Sequence, residues 1–551
     1  MAAEAVARRV DELVTEQAPA EVVGPLMRGI GVLRALTDAG GREDLQQLAH
    51  RTSLPRATLD RITSTLDSLG YLRIEGREVM LAPPLMEVGS AYLSAVRIPE
   101  LLGPHADALA EELDEGVTLT VPDQHGAHFV HSSKRDRRMG IVCSIGDRLP
   151  LDASAPGALL AATWSSDEWE RHQAEHHCVR GPGHAQACTN DLRERAAAAR
   201  SDGWSLDDQW LEPGLIAFGV PVHGPDGDLL CVVNVVSLIG RYPSAEALAR
   251  AALPAARRAA AAMERELGPQ QPVSRSGPMG SRVEDTRTLT TGRDFVESLA
   301  RGLSVLTAFG EGRHALKSSD VARITGLPRA TARRALITLD HLGYITNRGG
   351  LYRPNAAILS LGYAPLSRLT LSQLAQPHLT ELSRRLSDSV SMSVLSGSEI
   401  VYVARAASIR LVTVDASVGT RLPAYATSMG RVLLADVPRD ECAALLAASP
   451  LARLTPNTVT EVDELLRLLE RTADCGYALV DEELEVGLRS MAVPVRGKDG
   501  EVLAAINMAM HPSRRTIAEC FEQVLPALLA TAEAVEGDLS AVPHSGRLQL
   551  T

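Results

Sequence analysis

The chain has 551 residues, 45% hydrophobic and 23% charged, with a net charge of −12. This is the composition of a globular protein too long for a single core, and its acidic balance excludes indiscriminate polyanion binding while permitting a local basic surface. No apolar run reaches the roughly 18 residues of a membrane span, Met1 to Gln17 lacks the apolar centre of a secretory signal, and seven cysteines fall at irregular spacing, so a cytoplasmic protein with reduced thiols is expected.

An internal repeat organises the chain. LPRAT at Leu54–Thr58 returns at Leu327–Thr331, an offset of 273 (327 − 54). The same offset carries Arg28-Gly29 onto Arg301-Gly302, Gly203 onto Gly476 and Asn234 onto Asn507. Over Leu54–Tyr71, 12 of 18 positions are identical to those in the second copy, where chance would give about one. A period this long is a tandem duplication of a two-domain unit rather than a solenoid. The expected domains are 20–90 and 91–267 in the first copy and 293–362 and 363–540 in the second, with 268–292 as linker.

In the first copy, the Ser53-Leu54-Pro55 turn precedes a helix bearing Arg56, Thr58, Arg61 and Ser64, which ends before Gly70. A hairpin with Arg73 and Arg77 follows. Further on, His172, His176, His177, Cys178, His184 and Cys188 crowd into a segment that the second copy lacks. Their types suit zinc, but the spacing matches no closed site, and Gly181-Pro182-Gly183 reads as a solvated loop. No metal or cofactor is expected. Pro269 to Gly292, rich in Pro, Gly, Ser and Thr, reads as a flexible linker.

The second copy shows the first-domain pattern more cleanly. Phe295–Phe309 has helical apolar spacing, Ser318-Ser319-Asp320 offers caps for a short helix over Val321–Thr325, and Gly326-Leu327 turns the chain. Pro328 suits the first position of the next helix. Arg329, Thr331, Arg333 and Arg334 stand near its start, and Gly349-Gly350 tips a hairpin that carries Arg348. Helix, short helix, tight turn, helix and hairpin form the winged helix-turn-helix pattern, whose second helix enters the major groove. Arginine there can fork onto guanine, and Ser or Thr, including Ser319, can contact phosphate. One such helix could equally be a solvated amphipathic face; two in the same context favour DNA.

Beyond it, helices alternate with short strands: a helix over Leu371–Leu386, strands at Ser389–Leu395, Ile400–Ala404 and Ile409–Asp415, and a helix at Ser428–Leu434. Helical content follows at Val459–Thr472, then a hairpin of Ala492–Arg496 with Val502–Met508, and a helix at Gln523–Val535. The class is α+β with an antiparallel sheet.

Gly476–Val495 (GYALVDEELEVGLRSMAVPV), Arg421–Ala435 (RLPAYATSMGRVLLA) and, more loosely, Gly203–Val222 (GWSLDDQWLEPGLIAFGVPV) resemble signature stretches of the IclR family of bacterial regulators. The resemblance covers nearly all of both copies. It implies a fold of two copies of a winged helix-turn-helix plus a GAF-like antiparallel-sheet effector domain. The second copy is most similar to regulators of aromatic-acid catabolism, the β-ketoadipate and 4-hydroxybenzoate routes. The resemblance implies an effector site at Ser428, Met429, Asp481, Glu483, Ser490 and Asn507; Arg489 is added as a cation that could fork onto a carboxylate. The first copy retains Asp208 and Asn234 but has Ala155, Pro156, Trp210, Ile216 and Ala217 at the other places, so the second pocket is expected to be the better-kept sensor.

The expected function is transcriptional regulation, by analogy repression, with release from operator DNA by a small aromatic carboxylate such as 4-hydroxybenzoate or protocatechuate. An effector-binding co-regulator without DNA contact, or an enzyme acting on aromatic acids, would be the alternatives. No nucleophile elbow, phosphate-cradling loop or HExxH helix supports catalysis. Partners are double-stranded operator DNA and the effector, with self-association through the winged-helix or effector domains and no membrane.

Overall fold

The structure, a computed structural model, describes residues 19, 21–123, 126–133, 135, 143–175, 185–267, 295–407 and 417–542. The linker, the strand expected at 409–415, His176, His177, Cys178, His184 and the side chain of Cys188 lie outside the described residues. The chain forms two compact units, Met1–Arg368 and Leu369–Thr551, so the second winged helix shares a unit with the whole first copy.

The first unit begins with α1 (Gly24–Asp38), α2 (Leu45–Thr52) and α3 (Arg56–Ser68), joined by the small sheet β1 (Arg42–Asp44), β2 (Leu72–Glu75) and β3 (Glu78–Leu81) in the order β1-β3-β2. Leu26, Ile30, Leu33 and Leu36 on α1 and Leu59, Ile62 and Leu66 on α3 recur at helical spacing and are buried, which drives the three helices together. Ser53 ends α2 at φ 53°, where the second copy has Gly326 at φ 67°. Both turns are left-handed, and this conformation sets the angle between the two helices of the motif.

α4 (Met86–Val96) and α5 (Ile98–Leu113) lead into a six-stranded antiparallel sheet. It comprises β4 (Gly116–Asp123), β5 (Gly126–Ser133), β6 (Arg148–Pro150), β7 (Ser205–Asp208), β8 (Leu215–His223) and β9 (Leu229–Leu238), in the order β6-β5-β4-β9-β8-β7. Its helices are α6 (Ala155–Ala161), α7 (Ser166–Glu175), α8 (Ala185–Asp202) and α9 (Ala245–Glu266). The second winged helix follows as α10 (Glu297–Leu306), α11 (Ser318–Thr325), α12 (Arg329–His341), β10 (Ile345–Arg348) and β11 (Leu351–Pro354), with α13 (Tyr363–Ser367) after it. Ser318 and Ser319 lie inside α11, which Lys317 precedes; the Asp320 carboxylate accepts the Lys317 N–H at 3.4 Å. Pro55 and Pro328 stand one place ahead of their helices rather than at the first helical position.

The second unit repeats the sheet. α14 (Leu371–Leu386), β12 (Ser389–Ser396), β13 (Glu399–Ala406), β14 (Arg421–Pro423), α15 (Ser428–Leu434), α16 (Arg439–Ala447) and α17 (Val462–Cys475) come first. β15 (Ala478–Asp481), β16 (Arg489–Arg496), β17 (Val502–Met510) and α18 (Leu525–Ala541) complete it. Strand order β14-β13-β12-β17-β16-β15 matches that of the first sheet. A π-turn at Cys520–Val524 leads into α18. Among the described residues no helix is long and apolar enough to cross a membrane.

Within the first unit the two winged helices meet through equivalent surfaces. The Val23 N–H donates to Thr338 Oγ1 at 2.9 Å, and the Val296 N–H donates to Thr65 Oγ1 at 2.9 Å; each pair is the other shifted by 273. Gly29 lies against Leu299, and its counterpart Gly302 lies against Leu26, so close that a Cβ on either glycine would fall within 2.5 Å of a leucine methyl. Residue i touching j while j′ touches i′ is the signature of an isologous, twofold contact. Gly29→Val or Gly302→Val should therefore lower stability by about 1–3 kcal/mol through overpacking, read as a shift of the urea midpoint of the whole chain.

Candidate nucleic-acid interface and effector site

α3 and α12 each turn one face inward and leave their N-terminal arginines outside. Arg56, Arg61, Ser64, Arg329, Arg333 and Arg334 are exposed, as are Ser53, Ser319, Arg77 and Arg348; Thr58, Thr331 and Arg73 are partly covered. The two starts differ in electrostatics. On α3, Arg56 pairs with Asp60 at 2.9 Å, one helical turn on. On α12, arginine stands at Asp60's place: Arg333 Nη1 meets Glu21 Oε2 at 2.6 Å, and Arg334 Nε donates to the Glu21 carbonyl at 3.2 Å. The wing residues are also engaged. Arg348 pairs with Asp228 at 2.9 Å, in the β8–β9 turn, and Arg77 stands 4.0 Å from Asp44. Such exposed pairs each contribute at most about 1 kcal/mol.

In the second unit, strand register sorts the expected effector residues between two faces of the sheet. Ser490 pairs with Ala509, while Ala492 and Ser391 both pair with Asn507, so Ser490, Ala492, Ser391 and Asn507 share the face on which α15 packs. There the Ser428 hydroxyl donates to Ser490 Oγ at 2.9 Å, and Met429 joins a core cluster with Ala478, Ala492 and Ala505. Ser393, two residues beyond Ser391, lies on the same face. Asn507 Oδ1 and Ser393 Oγ are buried and make no hydrogen bond within the protein. An unsatisfied buried acceptor costs on the order of 1–3 kcal/mol, so this face is where a ligand with a donor would be rewarded.

Asp481 and Arg489 belong to the opposite face. They are register partners on β15 and β16, and the guanidinium grips the carboxylate through Nε and Nη2, both at 2.8 Å, while Nη1 donates to the Arg515 carbonyl at 2.7 Å. Donating to the Asp481 carboxylate raises the Arg489 pKa above its ordinary value. This corrects the expectation that Arg489 and Asp481 join Ser428, Ser490 and Asn507: neighbouring strand residues point to opposite sides, and Arg489 already has its anion. Asp208 and Asn234 divide likewise in the first sheet, since Asp208 pairs with Ile216 and Asn234 with Gly219.

Glu483 holds a partner that sequence reasoning did not anticipate. Arg431, on α15, is buried and reaches Glu483 Oε2 through Nη2 at 2.5 Å and the Tyr425 carbonyl through Nε at 3.1 Å. The Val459 N–H adds a bond to Glu483 at 3.3 Å, and Thr458 Oγ1 donates to the Glu483 carbonyl at 2.6 Å. At the equivalent positions the first copy has Ala158 and Trp210; both charges are absent together. Arg195 stacks over Trp210 at 4.5 Å instead.

The first sheet also buries Asp207, where the second has Val480. Burial pushes its carboxyl up to about 6, against the Trp210 N–H donated at 3.0 Å. The space beside Asn234 is filled: Val232 replaces Ala505 and Leu159 replaces Val432, and a Cβ on Gly219 would lie 2.8 Å from Val232 and 3.3 Å from Leu159. Asn234 donates to Thr120 Oγ1 at 3.1 Å, and its Oδ1 has no partner. Among the described residues no cluster of three or more His, Cys, Asp or Glu is placed to hold a metal.

The IclR helix-turn-helix domain model matches residues 25–76 and 298–349, and the bacterial transcriptional regulator IclR C-terminal model matches 90–265 and 363–537. The chain belongs to the IclR family. Both family domains occur twice, so it is a tandem duplication of the IclR unit. The Pca regulon regulatory protein of Pseudomonas putida is 41% identical over 255 residues, covering 46% of this chain and 88% of that protein. The p-hydroxybenzoate hydroxylase transcriptional activator of Acinetobacter baylyi is 36% identical over 254 residues, 45% of this chain and 92% of that protein. A solved structure from Rhodococcus, described as a transcriptional regulator, is 45% identical and covers 45% of this chain and 100% of its own, with a TM-score of 0.44. Family and relatives identify a DNA-binding transcriptional regulator, not an enzyme.

Two measurements test these sites. Arg431→Met should cost about 3–5 kcal/mol by stranding Glu483 as a buried charge, and adding Glu483→Leu should recover most of that loss in denaturant unfolding. For Asp207, whose folded pKa lies above the unfolded value, the neutral form favours the fold. Its penalty is absent below about pH 4 and complete above about 6. Asp207→Asn should therefore gain in melting temperature over the parent chain at pH 8, and the gain should vanish at pH 4.

Proposed function

We propose that this chain is a self-contained operator-binding unit, a repressor of aromatic-acid catabolic genes that leaves DNA when a small aromatic carboxylate occupies the second effector domain. The supporting observation is the isologous meeting of the two winged helices, which gives one chain the pair of recognition helices that a twofold operator requires. We assign DNA binding to 20–90 and 293–362 and effector binding to 91–267 and 363–540. Contacts to bases or phosphates are assigned to Arg56, Thr58, Arg61, Ser64, Arg329, Thr331, Arg333 and Arg334, and backbone contacts to Ser53, Ser319, Arg73, Arg77 and Arg348. Because the two helix starts differ in charge, the operator is an imperfect inverted repeat.

The effector assignment draws on the names of relatives that act on Pca genes and on p-hydroxybenzoate hydroxylase, and on the polar face of the second sheet. Ser428 and Ser490 hydroxyls suit a carboxylate, and Asn507 Oδ1 suits a phenolic O–H; 4-hydroxybenzoate and protocatechuate offer both groups. With Ala155 and Ala217 where the second copy has Ser428 and Ser490, and the larger Val232 and Leu159 where it has Ala505 and Val432, the first domain is the weaker binder. Release follows if effector binding shifts one recognition helix relative to the other, a coupling that must be reciprocal.

The experiment is titration of the purified chain against its labelled upstream DNA at several salt concentrations, with and without a panel of hydroxybenzoates. Steeply salt-dependent binding reversed by a hydroxybenzoate supports the proposal. Tighter binding on adding the acid would reverse the sign of regulation, and turnover of the acid would favour an enzyme. Arg329→Ala should weaken operator binding by about 1–3 kcal/mol if that side chain reads a base, and Asn507→Leu should abolish the response to the acid while leaving operator affinity in place.

A further inference from the structure

The segment ahead of α1 crosses onto the recognition helix of the other copy. Three of its groups touch α12: the Glu21 carboxylate takes Arg333 Nη1 at 2.6 Å, the Glu21 carbonyl takes Arg334 Nε at 3.2 Å, and the Val23 N–H reaches Thr338 Oγ1 at 2.9 Å. The valine–threonine contact recurs in the other half as Val296 to Thr65. The Glu21–Arg333 pair has no like counterpart, because the position equivalent to Arg333 is Asp60, held by Arg56 of its own helix at 2.9 Å; the position equivalent to Glu21 is Asp294, which lies outside the described residues. Among the described residues, Arg56 is held from within its own helix and Arg333 by a residue of the opposite copy.

Arginine has two forked edges, Nε with Nη2 and Nη1 with Nη2. A carboxylate on Nη1 occupies one and leaves the Nε–Nη2 edge for the two acceptors of a guanine. It also cancels one of three adjacent cations, Arg329, Arg333 and Arg334, that would otherwise attract phosphate regardless of sequence.

We propose that Glu21 is a positioning residue for the half-site read by α12, raising sequence discrimination there by restraining Arg333 and suppressing non-specific attraction. The inference rests on the DNA-binding reading above. It makes the two half-sites unequal in kind: α3 reads with an arginine restrained by its own helix, α12 with one restrained from the other copy.

The test compares the full chain with Glu21→Gln, Glu21→Asp, Arg333→Ala and the Glu21→Gln/Arg333→Ala double variant, on the upstream operator duplex and a scrambled duplex across a salt series. Glu21→Gln should bind the scrambled duplex more tightly, with a log–log salt slope steeper by about 0.9, the value for one added phosphate contact. The ratio of operator to scrambled affinity should fall about two- to fivefold, the range that exposed ion pairs support. Glu21→Asp should restore most of the ratio, and Glu21→Gln should change nothing further once Arg333 is alanine. Unchanged slope and ratio in Glu21→Gln, or the same change with Arg333 absent, would overturn the proposal while leaving the DNA-binding reading intact. Failure of the unaltered chain to bind either duplex would overturn both. Melting temperatures of all variants identify any folding defect, and Glu21→Asp, which keeps the charge, then decides.

Discussion

Two backbone N–H groups at the entries to α1 and α10 govern the architecture of the first unit. The opening N–H groups of any helix lack partners in their own helix. Here one at each entry, from Val23 and Val296, finds its acceptor on the recognition helix of the other copy, at Thr338 and Thr65. Each threonine hydroxyl in turn donates to a carbonyl one turn back, Arg334 or Arg61, so it is fully used only when both copies are present. Gly29 and Gly302 let the helices approach closely enough for these bonds to form. The placement of α3 relative to α12, and with it any reading of paired half-sites, follows from this crossing.

The effector domains show one backbone serving two chemistries. Strand order is identical and both copies keep three polar groups on one face, Thr118, Thr120 and Asn234 or Ser391, Ser393 and Asn507, yet the second adds Ser428 and Ser490 and closes its edge with the buried Arg431–Glu483 pair. In the first copy the pair gives way to Ala158 and Trp210. Losing one charge alone would strand the other in a low-dielectric interior, so only the joint replacement is cheap. Asp207 is the exception, a carboxylate kept under cover at the cost of a raised pKa.

Much of the fold was legible because it is written in local signals. The LPRAT turn, the Gly343 and Gly70 stops and the Gly349-Gly350 hairpin mark the winged helices through backbone requirements that few residues meet. Leu371–Leu386 and Ser428–Leu434 follow from apolar spacing and caps. The site was less legible. Arg489 joins Ser490 in the expected site for its charge, although consecutive strand residues face opposite ways; the alternation in the sequence separates them. Arg431 reads as an ordinary surface cation on a short helix, and nothing local points to Glu483, 52 residues on. The cross-copy role of Glu21 was hidden for the same reason: its partner is 312 positions away.

Fusing both halves into one polypeptide has a consequence for how the molecule can change. In a homodimer each substitution is made twice, and an alteration that suits one side of the contact is imposed on the other. Here Asp60 and Arg333, Trp210 and Glu483, Val232 and Ala505 stand at equivalent places and each exists once. Reading and sensing can drift apart between halves, and one half can lose a task without forfeiting the closed partnership that holds the pair together.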